Sequence, residues 1–190
     1  MTRSLVIIGE KLDKMGKRSN FERIERDFYP TPEEALIPLL PHLPKTGYFT
    51  DPCAGDGALI DHLERLTDLK CSLASDIEPQ REDIYEMDAL IPRTYYSGDF
   101  IITNPPWNRK ILHPLIEIFA RQKPTWLLFD ADWVHTKQSI SFLPMLKKII
   151  SIGRIKWIPG SKSTGKDNCC WYLFMNEESL NIDFYGRRKK

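Results

Sequence analysis

One property of this chain limits its possible folds more than any other: between residues 47 and 175, short apolar runs alternate with amphipathic stretches. The runs are 47–51 "GYFTD", 71–76 "CSLASD", 84–87 "IYEM", 99–103 "DFIIT", 125–129 "TWLLF", 152–158 "IGRIKWI" and 169–175 "CCWYLFM". Helix-like patterns cover 57–66 "GALIDHLERL", 111–122 "ILHPLIEIFARQ" and 137–149 "KQSISFLPMLKKI". Strands too apolar for a solvated face, separated by helices, predict an α/β fold built on a mostly parallel sheet with helices on both faces. Only "PGSKSTGKDN" separates the last two strands, too short for a helical crossover, so the final pair is predicted to be antiparallel. Ahead of the alternation, "YPTPEEALIPLL" predicts a helix with Thr31 as N-cap, Pro32 at the first helical position and Glu34 closing a capping box. Pro38 is expected to bend or shorten it.

The 190 residues suffice for one sizeable domain. We expect an N-terminal arm at 1–27, the folded domain at 28–176 and a basic tail at 177–190. No apolar run approaches the ~18 residues of a membrane span, and the N-terminus lacks the small-residue cleavage site of a signal peptide. Cys53, Cys71, Cys169 and Cys170 show no CxxC spacing, so reduced thiols, a cytoplasmic setting and no metal site are expected. Net charge is +1 but unevenly spread. Residues 51–90 hold eleven acids against three bases, whereas 133–166 hold seven bases and no acid. That asymmetry suggests one surface suited to a polyanion, or simply solvated lysine faces.

The first predicted strand runs into "DPCAGDGAL", where Gly55 and Gly57 permit a sharp turn and close backbone approach to a ligand. The motif is neither GxGxxG nor a P-loop, and it lacks the Gly-Lys-Ser/Thr of nucleotide hydrolysis. Asp76 ends the second strand about twenty-five residues after Asp51, where dinucleotide-binding folds place the acid that holds ribose hydroxyls. Asp88 follows the third. Each aspartate alone reads equally as a turn residue. Together, acids and glycines at successive strand ends converge on the carboxyl edge of the sheet.

The fourth strand ends in Asn104, Pro105, Pro106 and Trp107. This NPPW loop resembles the catalytic motif of class I S-adenosylmethionine-dependent amino methyltransferases, most closely the DNA adenine-N6 enzymes. "FYPTP" at 28–32, "DPCAGDG" at 51–57, "SDIEP" at 75–79, "MDAL" at 87–90 and "LLFDADW" at 127–133 resemble the accompanying motifs. The resemblance covers roughly residues 28–175. It implies a Rossmann-like sheet of seven strands with the last inserted antiparallel, S-adenosyl-L-methionine as cofactor, and DNA with a flipped adenine as partner. It further implies that Asp51, Pro52, Ala54, Gly55 and Gly57 hold the methionine end. Asp76 would bind ribose, Ile77 would pack on the cofactor's ring, and Asp88 with Ala89 would meet the adenine. Tyr29 and Thr31 would close over the site.

The residue types suit that chemistry. An exocyclic adenine amine is a poor nucleophile because its lone pair is delocalised, so it needs acceptors for its two protons. The Asn104 side-chain oxygen and the Pro105 carbonyl can supply them. The two prolines remove backbone donors and fix φ, which presets the carbonyl direction. Trp107 offers a flat face for an extruded base. Members that read a DNA sequence usually carry a separate recognition domain, and no segment here has that size. Phosphate contacts are therefore expected from Arg109, Lys110, Lys162 and Lys166, with little or short sequence preference, as in phage-like enzymes acting in a bacterial cell or an infected host. RNA or protein-glutamine methylation would use the same loop. A nucleic-acid-binding module without activity is the reading from another class.

Overall fold

The structure, a computed structural model, describes residues 29–91, 96–158, 164–177, 179 and 181–187. In chain order its elements are α1 (Glu33–Leu36), β1 (Thr46–Asp51), α2 (Ala58–Leu66), β2 (Asp68–Asp76), β3 (Tyr85–Glu86), β4 (Phe100–Thr103), α3 (Arg109–Ala120), β5 (Thr125–Asp130), β6 (Leu146–Gly153), β7 (Cys169–Phe174) and β8 (Asp183–Tyr185). Short 3-10 segments lie at Leu40–His42, Ala131–His135 and Lys137–Met145. The strands form one eight-stranded sheet in the order β3-β2-β1-β4-β5-β7-β6-β8. All neighbours pair in parallel except β7, which lies antiparallel between β5 and β6.

The sequence-derived fold class holds: the sheet is mostly parallel, flanked by helices, with an antiparallel inserted strand. It carries one strand more than the seven expected, because β8 adds to the edge beside β6 from a segment read as tail. The strand predicted at 152–158 is corrected, since β6 runs Leu146–Gly153 and residues 154–158 form no strand, and so is the helix before it. Residues 137–149 do not form an α-helix: a 3-10 segment ends at Met145 and β6 begins at Leu146. Pro144 cannot continue a helical hydrogen-bond ladder, and the β-branched Ile149, Ile150 and Ile152 favour a pleated, half-buried surface. The start of α1 is also corrected. Pro32, with extended backbone, occupies the N-cap and makes no side-chain cap bond, so Thr31 and Glu34 form no capping box. That helix stops at Leu36, before Pro38, as expected.

The sheet separates two apolar layers. On one side Leu59, Ile60 and Leu63 of α2 pack with Ala35, Leu36, Phe49, Ile102 and Trp171. On the other, Leu112, Leu115, Ile116 and Phe119 of α3 pack with Ile101, Leu127, Phe129 and Tyr172. The three- and four-residue spacing of these helical positions makes each helix one-sided. Full burial of such side chains contributes about 1.5–3 kcal/mol apiece. An aromatic cluster closes the second layer: Phe129 stacks on Tyr172 at 4.2 Å, and the Trp133 indole donates to His113 Nε2 at 3.0 Å. Burial lowers the His113 pKa, with Arg109 adding to the effect, which suits a neutral ring acting as acceptor. Among the described residues no helix is long and apolar enough to cross a membrane.

Candidate active site

Strand order reverses between β1 and β4: β2 and β3 extend one way and β5 the other. At such a switch point the loops leaving two neighbouring strands diverge, and a crevice opens at their carboxyl ends. Here it is a cavity of about 860 Å³, within the rough 300–1,000 Å³ range of small-molecule sites.

The cavity floor is the β1–α2 turn. Asp51 is 1% exposed, and its Oδ1 accepts the Cys53 N–H at 3.2 Å. Burial pushes the Asp51 carboxyl up to about 7, and the neighbouring Asp76 charge adds to this. The same burial raises the Cys53 thiol well above its usual range, leaving it protonated and unreactive. Gly55 and Gly57 take φ of +56° and +80°, a left-handed bend that a side chain would oppose. The bend turns the Gly55 N–H onto Asp76 Oδ2 at 2.8 Å. Asp76 Oδ1 accepts the Glu78 N–H at 2.9 Å. Each Asp76 oxygen thus spends one lone pair on the backbone and keeps another for a ligand hydroxyl.

The predicted residues converge. Asp51, Pro52, Ala54 and Gly55 line the cavity, as do Asp76, Ile77, Asp88 and Ala89. Tyr29 and Thr31 border it from the N-terminal side, and Asn104 and Pro106 from the end of β4. Gly57 lies behind the wall as the N-cap of α2. Sequence reasoning missed the contributions of Leu59, Gln80, Asn108 and Ile111. The last two follow from α3 starting immediately after the NPPW loop, with the Asn108 side chain accepting the Lys110 N–H at 3.0 Å.

Asn104 is held at both ends of its amide. Nδ2 donates to the Tyr29 carbonyl and Oδ1 accepts from the Trp107 indole, each at 3.4 Å. The Trp107 N–H also donates to the Leu128 carbonyl at 3.2 Å. Neither Trp107 nor the buried Pro105 lines the cavity. The Trp107 ring packs against both apolar layers. Trp157 packs beside both residues that hold the Asn104 amide: its ring lies 6.1 Å from Tyr29 and 5.8 Å, edge-on, from Trp107. Its sequence signal was faint, one tryptophan in the basic stretch "RIKWI" read as strand.

Arg109 Nη2 donates to Asp130 Oδ2 at 2.8 Å, so α3 is pinned to the end of β5. Lys110 and Lys166 are exposed, and Lys162 lies outside the described residues. No group of three or more His, Cys, Asp or Glu side chains suited to a metal occurs among the described residues.

No protein-family model matches the chain. No curated sequence relative matches either. Solved structures do match its fold. A candidate RNA methyltransferase from Pyrococcus horikoshii superposes with a TM-score of 0.52 at 15% identity, over 77% of this chain and 85% of that one. The M protein of the type I restriction enzyme EcoKI gives 0.52 at 14% identity, over 84% of this chain. The modification subunit of a candidate type I restriction enzyme from Vibrio vulnificus gives 0.51 at 13%, over 86%. This chain spans 48% of the length of each of those two subunits. The fold is therefore the Rossmann-like methyltransferase fold.

Proposed function

We propose that the protein transfers a methyl group from S-adenosyl-L-methionine to the N6 amine of adenine in DNA. One observation carries this reading: the Asn104 carboxamide stands on the wall of the same cavity as Asp51 and Asp76. The donor set fits that cofactor. A buried carboxylate matches a cationic methionine end, and Asp76 keeps lone pairs for two ribose hydroxyls. Asp88, whose Oδ1 accepts the Leu90 N–H at 2.8 Å, lies where an adenine amine would be held, beside Ile77. When bound, S-adenosylmethionine supplies an electrophilic methyl group.

The chain's own residues do the rest. Asn104 Oδ1, fixed toward Trp107 on one lone pair, keeps the other for an amine proton. The second acceptor in this reading is the backbone carbonyl of Pro105, which joins the two cavity-lining residues Asn104 and Pro106. Two acceptors hold the NH2 group in one orientation and draw its protons away from the ring plane, which frees the nitrogen lone pair. Positioning contributes much of the rate, since the acceptor nitrogen needs only to stand in line with the transferred carbon. The proton leaves after transfer, so no strong base is required. Trp107 serves as an anchor for Asn104, and Tyr29, on the cavity lining, is the aromatic available to the incoming base.

The test is incubation with methyl-labelled S-adenosylmethionine and separate DNA, RNA and protein pools, with mass spectrometry of the digests. Label in N6-methyladenine from DNA is the expected result. Label confined to RNA or to glutamine reassigns the acceptor. An Asn104→Ala protein should lose turnover and keep its affinity for cofactor within about twofold; wild-type turnover in that variant refutes the assigned chemistry.

A further inference from the structure

Residues 29–36 are tied down at several separate places. Tyr29 gives its carbonyl to Asn104 at 3.4 Å. Thr31 is buried against the cavity. Glu33 pairs with Arg65 of α2. The Ala35 carbonyl accepts the buried Trp171 indole N–H of β7 at 2.8 Å. Glu34 makes the remaining tie, and it is of a different kind. Its carboxylate accepts the Lys156 backbone N–H at 2.7 Å, across 122 residues of chain. A carboxylate acceptor makes this a charge-assisted bond, stronger than a neutral one.

Lys156 is directly followed by Trp157. The loop behind that tryptophan is also braced: Gly165 donates to the Ile155 carbonyl at 2.7 Å. A Cβ built on Gly165 would stand 2.9 Å from Trp157 Cδ1. One short segment therefore touches the cavity through Tyr29 and Thr31, and through Glu34 it holds the backbone next to Trp157, whose ring packs on the Asn104 anchors Tyr29 and Trp107.

We infer that Glu34 is a positioning residue that couples the two halves of the site: through the Lys156 N–H it sets Trp157 against Tyr29 and Trp107, the two residues that hold Asn104, whenever the 29–36 segment is seated over the cofactor. The inference rests on the methyl-transfer reading for its ligands. Its physical content, that Glu34 locks the 156–157 backbone, is independent of that reading. An occupied cofactor cavity holds Tyr29 and Thr31 in place, so the Tyr29–Trp157–Trp107 packing around Asn104 is preassembled and the acceptor binds more tightly. By linkage the acceptor strengthens cofactor binding by the same factor.

The test compares wild type with Glu34→Leu, which removes the acceptor atom, and Glu34→Gln, which keeps an oxygen for the same N–H. Glu34 is exposed, so neither change burdens the core. In the unliganded proteins, hydrogen exchange at the Lys156 and Trp157 amides should speed up in the leucine variant and return towards wild type in the glutamine variant. With ligands, S-adenosylhomocysteine should tighten binding of an adenine-containing oligodeoxynucleotide about tenfold in wild type. Glu34→Leu should lose most of that factor and raise the acceptor KM, while its affinity for S-adenosylhomocysteine alone stays within about twofold. Unchanged amide exchange in Glu34→Leu overturns the inference whatever the protein methylates, and so does full coupling retained in that variant. Wild-type protein that binds no S-adenosylhomocysteine overturns the functional reading instead, with the exchange result standing apart from it.

Discussion

Asp51 offers the sharpest quantitative test of the site, because its charge is costly before any ligand arrives. The carboxyl is fully buried, and its pKa moves from 3.8 to about 7. The folded protein therefore holds this proton more tightly than the unfolded chain does. Stability from this group is complete below pH 3.8 and is lost as pH rises towards 7. At about 1.4 kcal/mol per factor of ten, the part of the loss lying between pH 5 and pH 8 is about 3 kcal/mol. Asp51→Asn removes the titration and keeps an oxygen for the Cys53 N–H. Denaturant unfolding of both proteins at the two pH values isolates the effect, since titrating groups that do not interact with Asp51 cancel in the difference. Wild type should lose about 3 kcal/mol relative to the variant, roughly 10 °C in melting temperature for a domain of this size. The sign reverses for a cationic ligand. S-adenosylmethionine should bind wild type more tightly at pH 8 than at pH 5, where the carboxyl is protonated, and should bind the variant weakly at both. Stability curves for the two proteins that run parallel from pH 5 to 8 would refute the assignment of a desolvated, ionisable Asp51.

Three further perturbations have defined outcomes. Asp76→Ala removes the acceptor of both the Gly55 and Glu78 N–H groups, so calorimetry should find cofactor binding weakened at least tenfold and the unliganded protein destabilised by about 1–3 kcal/mol. Gly165→Ala forces a methyl group against Trp157 and the Ile155 carbonyl at 2.9 and 3.1 Å; acceptor kcat/KM should fall while cofactor affinity is kept, as measured by steady-state kinetics and titration. Trp171→Phe strands the Ala35 carbonyl in the core, and thermal unfolding should register about 1–3 kcal/mol of lost stability.

Much of this molecule was legible in its residues. The alternation of apolar runs with one-sided helices determined a mostly parallel sheet, because a strand buried on both faces has no polar side to show. The short link before Cys169 determined the antiparallel β7. Asp51, Gly55, Asp76, Asp88 and Asn104 sit at strand ends, and a parallel sheet aligns its strand ends at one edge, so their convergence followed from position alone. The errors came where local pattern competes with distant contacts. "LKKII" satisfies a helix pattern and a strand pattern alike, and only pairing with β7 and β8 selects the strand. Glu34 fits a capping box by spacing, yet its carboxylate is taken by a backbone N–H 122 residues away. Trp107 offers a flat face for a base by sequence, yet its indole N–H is spent on Asn104 and on the Leu128 carbonyl, and its ring packs into both apolar layers. Sequence fixes which groups each short segment can offer; which partner takes them is a matter of three-dimensional competition, settled by the lowest total free energy of the packed chain.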